Sequence, residues 1–145
     1  MIAGFFGHAG LVDADKIKSL LRARMETVIG HREAELWLGA HGAFDAISFC
    51  VARDFKRVHP LARMVLVTPY LDAKEVREAR EAYDAVLYPP IETVPKRLAI
   101  LARNRYVARN ADVIFAYVDH SFGGAAQALI EAERAKKQIF NLAER

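Results

Sequence analysis

Short apolar runs alternate with amphipathic helical stretches along the whole chain, and nothing else narrows the fold as far. Ile2 to Phe6 is an apolar run closed by glycine. From Asp13, a suitable helix N-cap, Ile17, Leu20, Leu21, Met25, Val28 and Ile29 recur at helical spacing until Gly30. Glu35 to Leu38 predicts a second strand, Ala43 to Val58 a helix with Phe44, Ile47, Val51 and Phe55 on one face, and Ala62 to Val67 a third strand beyond the His59-Pro60 break. Asp72 with Glu75 reads as a capping box opening a charged helix to about Ala82. Ala85 to Leu87 is a short fourth strand. A helix from near Val94-Pro95 then turns Leu98, Leu101 and Val107 inward as far as Asn110. A strand at 112–118, a helix at 122–136 and a last strand from Gln138 to Leu142 complete the pattern. Right-handed crossovers put a helix over each pair of strands, so this alternation predicts an α/β fold: one doubly wound domain over residues 1–145, its mostly parallel sheet of five or six strands covered on both faces.

With 145 residues, 53% of them hydrophobic, the chain can bury a core without disulfides or a structural metal. A net charge of +3 mildly favours anionic partners but is well short of the dense basic stripe of a dedicated nucleic-acid binder. The single Cys50 falls within an apolar helical pattern and suits a reducing compartment. The apolar start, MIAGFFGHAGLV, has no basic flank and runs into Asp13, Asp15 and Lys16, so it reads as a buried strand and not a leader. No run of eighteen apolar residues occurs, and the expected location is the cytoplasm with no membrane partner.

Ligands of doubly wound sheets sit in the crevice at the carboxyl ends of the strands. Four strands run out into loops of small or polar residues: Gly7-His8-Ala9-Gly10, Gly39-Ala40-His41-Gly42, Thr68-Pro69-Tyr70, and Asp119-His120-Ser121-Phe122-Gly123-Gly124. Glycines let a phosphate approach the backbone, and each following helix offers free N–H groups and a positive dipole end, so these loops predict a phosphate or nucleotide pocket. Ser121 is placed to cap the helix after the last turn. Neither G-x-G-x-x-G nor G-x-x-x-x-G-K-S/T is present, which gives no support to a nicotinamide cofactor or to P-loop hydrolysis. Arg105 and Arg109 share a helix face, as do Lys96 and Arg103. Either Arg103 or Arg105 is expected to turn its planar fork toward the pocket. His8, His41 and His120 each follow a strand, but their spacing matches no metal motif, and hydrogen bonding to ligand or loop is the expectation. Asp45 is positioned either to accept a ribose hydroxyl or simply as an acid in a helix's first turn. Trp37 reads as core, and Tyr70 as a residue that can touch a base.

Gly4-Phe5-Phe6-Gly7-His8, Gly39-Ala40-His41-Gly42-Ala43-Phe44-Asp45, Pro95-Lys96-Arg97, Arg103-Asn104-Arg105 and Tyr117-Val118-Asp119-His120-Ser121-Phe122-Gly123-Gly124-Ala125 together resemble the SLOG superfamily. That group takes in the DNA-processing Smf/DprA proteins, the Lonely-Guy phosphoribohydrolases and the small bacterial YpsA-like proteins, to which this chain is most similar. The resemblance covers nearly the whole sequence. It implies a Rossmann-like fold, a pocket for nucleotides or nucleotide-derived ligands, and a homodimer. Arg103 matches the arginine that Lonely-Guy enzymes carry before the penultimate strand, and Gly123-Gly124 match the pair in their P-G-G-x-G-T-x-x-E turn. Phe122 stands at the proline of that turn, Ala126 at its third glycine, Gln127 at its threonine, and Leu129 or Ile130 where the acid is expected.

The expectation is therefore a module that needs no cofactor or metal and binds a nucleotide or nucleotide-derived phosphate ligand. Ser121, Gly123 and Gly124 would hold the phosphate, Arg103 would be its charged partner, and Gly7, His8, Gly39, Gly42 and Tyr70 would line the rest. The alternative is a phosphoribohydrolase acting on the N-glycosidic bond of nucleoside 5′-monophosphates, with Arg103 and with Asp119 or Glu131 supplying the acid. A further, less favoured alternative is single-stranded nucleic-acid binding through the helix at 96–109.

Overall fold

The computed structural model describes residues 1–8, 10, 13–70 and 74–143. In chain order the elements are β1 (Ile2–Gly7), α1 (Ala14–Val28), β2 (Ala34–Leu38), α2 (Ala43–Val58), β3 (Ala62–Val67), α3 (Lys74–Ala82), β4 (Ala85–Leu87), α4 (Ala99–Asn110), β5 (Val113–Tyr117), α5 (Gly124–Arg134) and β6 (Gln138–Asn141). The six strands form one sheet in the order β4-β3-β2-β1-β5-β6, and every neighbouring pair is parallel. The expected α/β doubly wound architecture is thus what the chain adopts.

Alternation along β1 explains the two cores. Phe5 points to a cluster built with Leu21, Met25, Phe44, Val51 and Phe55 of α1 and α2. Its neighbour Phe6 points the other way, among Val107, Ala108, Ala128 and Ala132 of α4 and α5. Gly4 lets α4 lie against the strand, since a Cβ there would stand 2.8 Å from the Val107 side chain. Asp13 caps α1 as expected, its carboxylate accepting from the Lys16 N–H at 3.2 Å.

Four expectations about elements need correction. The helix after Pro95 begins with a 3₁₀ turn, Lys96–Leu98, and becomes α-helical only at Ala99. Leu98 is 37% exposed and Leu101 half-buried, so the inward stripe of α4 is Ala99, Arg103 and Val107, with an arginine in the middle. Lys96 is exposed and therefore shares no face with the buried Arg103. The last helix starts at Gly124, two residues later than expected, because Gly123 and not Ser121 is its N-cap. Asp72, half of the expected capping box, lies outside the described residues. No helix among the described residues is long and apolar enough to cross a membrane.

Candidate functional site

The chain reverses its winding between β1 and β5, and the loops leaving those two central strands diverge at the carboxyl edge, where a doubly wound sheet opens its crevice. A hollow of about 420 Å³, counting its open mouth, lies there. Gly7, Gly39, His41, Asp45, Arg103 and Asn104 are among its walls. Ends of β1 and β2 and parts of α2, α4 and α5 therefore meet in one place; of the expected lining residues Gly7, Gly39 and Arg103 stand at its walls, while His8, Gly42, Tyr70, Ser121, Gly123 and Gly124 do not.

Arg103 dominates this hollow. Its position in the inward stripe of α4 drives the side chain over the edge of the sheet, and it is only 5% exposed. Nε donates to the carbonyl of Val67, the last residue of β3, at 2.8 Å, and Nη1 donates to Asn104 Oδ1 at 2.9 Å. Nη2 is buried with no hydrogen-bond partner among the described residues. A buried donor on a cation is costly to leave unpaired, more so than the neutral Trp37 Nε1 and Ser48 Oγ, which are also buried without partners among the described residues. Burial pulls the guanidinium below its ordinary pKa, while the charge of Asp45 opposes that shift.

Asp45 faces it from the first turn of α2. One carboxylate oxygen accepts from the His41 N–H at 2.8 Å, which holds the loop before the helix. Burial pushes this carboxyl above the usual carboxylate range, against the His41 hydrogen bond and the Arg103 and His41 charges, which lower it. A Cβ on Gly39 would lie 2.7 Å from Asp45 Oδ2 and 3.2 Å from Arg103 Nη2. The two opposite charges thus flank one bare backbone position, although among the described residues they form no ion pair. Tyr83 lies close enough to feel both; burial first, then the Asp45 charge, pushes its hydroxyl up to about 12, so it stays protonated.

Two helices open toward this edge in the same way. Gly42, before α2, has φ 100° and ψ 173°, and Gly123, before α5, has φ 94° and ψ 172°; neither helix has a side-chain cap. This backbone region is essentially closed to residues with a Cβ. It leaves the first-turn N–H groups uncapped by any side chain. The expected cap from Ser121 is therefore a correction: Ser121 is exposed and contributes none. Gly124 stands beside the hollow, where a Cβ would be 3.8 Å from Asn104 Nδ2. Gly7 lines the wall for a different reason, since a Cβ there would overlap the Phe44 ring at 2.2 Å. Its lack of a side chain serves packing.

Other residues singled out in the sequence lie elsewhere. His8 is buried and stacks on His120, ring centroids 3.4 Å apart, and the Phe122 ring lies against His120 at 4.0 Å, tilted by 33°. Asp119 holds the stack together: its N–H donates to His8 Nε2 at 3.0 Å, and its carboxylate reaches His120 Nδ1 at 2.8 Å. His41 stays apart from these two and approaches Tyr70 edge-on at 6.4 Å. Tyr70 is tied back to Thr68 through its N–H at 3.2 Å. Glu131, on α5, pairs with Arg105 at 3.5 Å and with Arg109 at 3.6 Å. Of the two candidate arginines, then, Arg103 turns inward and Arg105 does not. Neither Asp119 nor Glu131 brings its carboxylate to Arg103, and the acid beside it is Asp45. Trp37 is core, stacked on Tyr106 at 5.8 Å. Phe122, which departs from the proline of the Lonely-Guy turn, is 71% exposed at the end of this ring cluster.

Against solved structures, the chain superposes on DNA processing protein A from Helicobacter pylori, solved for its single-stranded DNA binding mode, with a TM-score of 0.65 at 18% identity, over 100% of this chain and 66% of that one. It also superposes on DNA processing protein A (DprA) from Streptococcus pneumoniae, TM-score 0.66 at 13% identity, over 96% of this chain and 49% of that one. The fold is shared with DprA. TM1055, a structural-genomics target, is a further neighbour at TM-score 0.59 and 12% identity, over 95% of this chain and 71% of that one. This chain thus spans about two thirds and about half of the two DprA chains. No family model matches the sequence, and no curated protein matches it either.

Proposed function

We propose that this protein binds the phosphate of a nucleotide or nucleotide-derived ligand in the hollow at the carboxyl edge of its sheet, with Arg103 as the charged partner. One observation carries the reading: Arg103 lines a solvent-reaching hollow, and its Nη2 is buried with no hydrogen-bond partner among the described residues. A phosphate oxygen there would satisfy the missing hydrogen bond and neutralise the buried charge together. The uncapped starts of α2 and α5 support the same ligand class from the backbone side. The resemblance to the SLOG superfamily, carried by the five stretches named above, also supports it, and with it a homodimer. A monomer on sedimentation would contradict the dimer. The test of binding is thermal unfolding with nucleoside mono- and diphosphates and ADP-ribose. A ligand at one hundred times its Kd should add about 2.7 kcal/mol of stability by mass action. Arg103→Met should abolish the rise, and a flat response of the natural protein at millimolar ligand would count against the site.

A second reading is single-stranded nucleic acid. It is favoured by the fold shared with the Helicobacter pylori protein, and by Phe122, whose open face offers a base a stacking surface. Against it, Arg105 and Arg109 are both engaged by Glu131, which neutralises much of the basic face of α4. Gel shifts that weaken steeply with salt and are lost in Phe122→Ala would favour it over the first reading.

A further inference from the structure

We infer that Asp45 reads the sugar hydroxyls of the bound ligand, so that the hollow prefers ribose phosphates to their 2-deoxy counterparts. The inference rests on the phosphate reading above and adds a second contact to it. Three observations carry it. Asp45 Oδ2 and Arg103 Nη2 both lie within 3.2 Å of the point that a Gly39 Cβ would occupy, so a ligand phosphate held by the arginine places its neighbouring atoms beside the carboxylate. Oδ2, the oxygen nearest that point, is committed to the His41 N–H, which fixes the orientation of the group and leaves Oδ1 without a hydrogen-bond partner among the described residues. Asp45 and Gly39 also line a second, more apolar cleft between α2 and α3, with Phe49, Leu66 and Tyr83 on its walls, so the carboxylate stands where the two spaces join.

The chemistry selects the ligand group. An ionised carboxylate only accepts hydrogen bonds, and it repels the phosphate that its arginine neighbour attracts. What it can take from a sugar phosphate is a hydroxyl donor, and a carboxylate with one oxygen free and oriented suits the adjacent hydroxyls of a ribose. A 2-deoxy sugar removes one of those donors and leaves a partly desolvated oxygen unsatisfied, which is how a polar site rejects an analogue that lacks one group.

Calorimetric titration of the full chain with inorganic phosphate, ribose 5-phosphate and 2-deoxyribose 5-phosphate tests this without knowing the base. Ribose 5-phosphate should bind roughly 10- to 100-fold more tightly than the 2-deoxy sugar, the range expected for one charge-assisted hydrogen bond. Asp45→Asn should shrink that preference to a few fold. Equal affinities for the two sugars in the natural protein would overturn the role of Asp45 and leave the phosphate site standing. So would a preference that survives Asp45→Asn unchanged. Failure of all three probes to bind would overturn the phosphate reading and this inference with it. The comparison of the two sugars needs no variant, so a poorly folded Asp45→Asn would not blunt the test.

Discussion

Arg103 sits where helical packing alone would place an aliphatic side chain, four residues after Ala99 and four before Val107 on the buried stripe of α4. The sequence leaves Arg103 and Arg105 as equal candidates and turns Leu98, Leu101 and Val107 inward. Which arginine is buried depends on the helix starting at Ala99, and its free Nη2 on where β3 ends and how Gly39 clears the space. Glycines make the same point. Gly7 and Gly39 look alike in sequence as loop residues after strands, yet an added Cβ meets a phenyl ring at one and two charged groups at the other. Gly7→Ala should therefore lower stability by about 1–3 kcal/mol through overpacking against Phe44, measurable by denaturant unfolding. Gly39→Ala should chiefly displace Asp45 and Arg103 and weaken phosphate binding about tenfold, with a smaller effect on stability. His8 carries a pH prediction. Burial, then the charge of His120, holds its pKa below the ordinary 6.5, with Asp119 opposing. The unfolded chain thus binds a proton that the folded chain refuses, and the His8 contribution to stability is complete above 6.5 and lost as pH falls below it. Between pH ~7.5 and ~5 the melting temperature should drop more in the natural protein than in His8→Asn, and equal slopes would contradict this.

Among elements, α2 and α5 are the pair that matters, since each opens through a glycine in nearly the same uncommon backbone conformation. Nothing lies within 4 Å of an added Cβ at Gly123, so Gly123→Ala tests conformation alone. It should cost about 1–3 kcal/mol on chemical unfolding. Sequence periodicity located every strand and helix, because apolar spacing is dictated by burial. It missed the starts of α4 and α5, where Pro95 and Gly123 set local geometry that periodicity does not carry. It also missed the role of Glu131, whose partners lie on a different helix. Glu131→Ala should free Arg105 and Arg109 at little cost in stability, since all three charges are near the surface. Any affinity for single-stranded DNA should then rise, and its salt dependence should steepen by roughly one to one and a half powers of salt concentration. An unchanged salt slope would show that those arginines do not face a strand.

At the scale of the whole molecule, six parallel strands with the winding reversed between β1 and β5 bring distant stretches of sequence to one edge. The α/β layout was legible because strand and helix alternate with little interruption. The convergence of the β1 and β2 loops on Arg103 followed from that layout once the sheet was parallel. Which carboxylate joins the arginine was not legible: Asp119 and Glu131 were nearer in sequence to the glycine turn, but the fold gives Asp119 to the histidine stack, Glu131 to two arginines, and Asp45 to the hollow. The same framework is kept in DprA at 13–18% identity, so the shared feature is the architecture and the site must be tested on this chain's own residues. A crystal of the protein soaked in adenosine 5′-monophosphate does so most directly. The account predicts phosphate density in the hollow with an oxygen within hydrogen-bonding distance of Arg103 Nη2, and an ordered phosphate bound anywhere else, with the hollow empty, would contradict it.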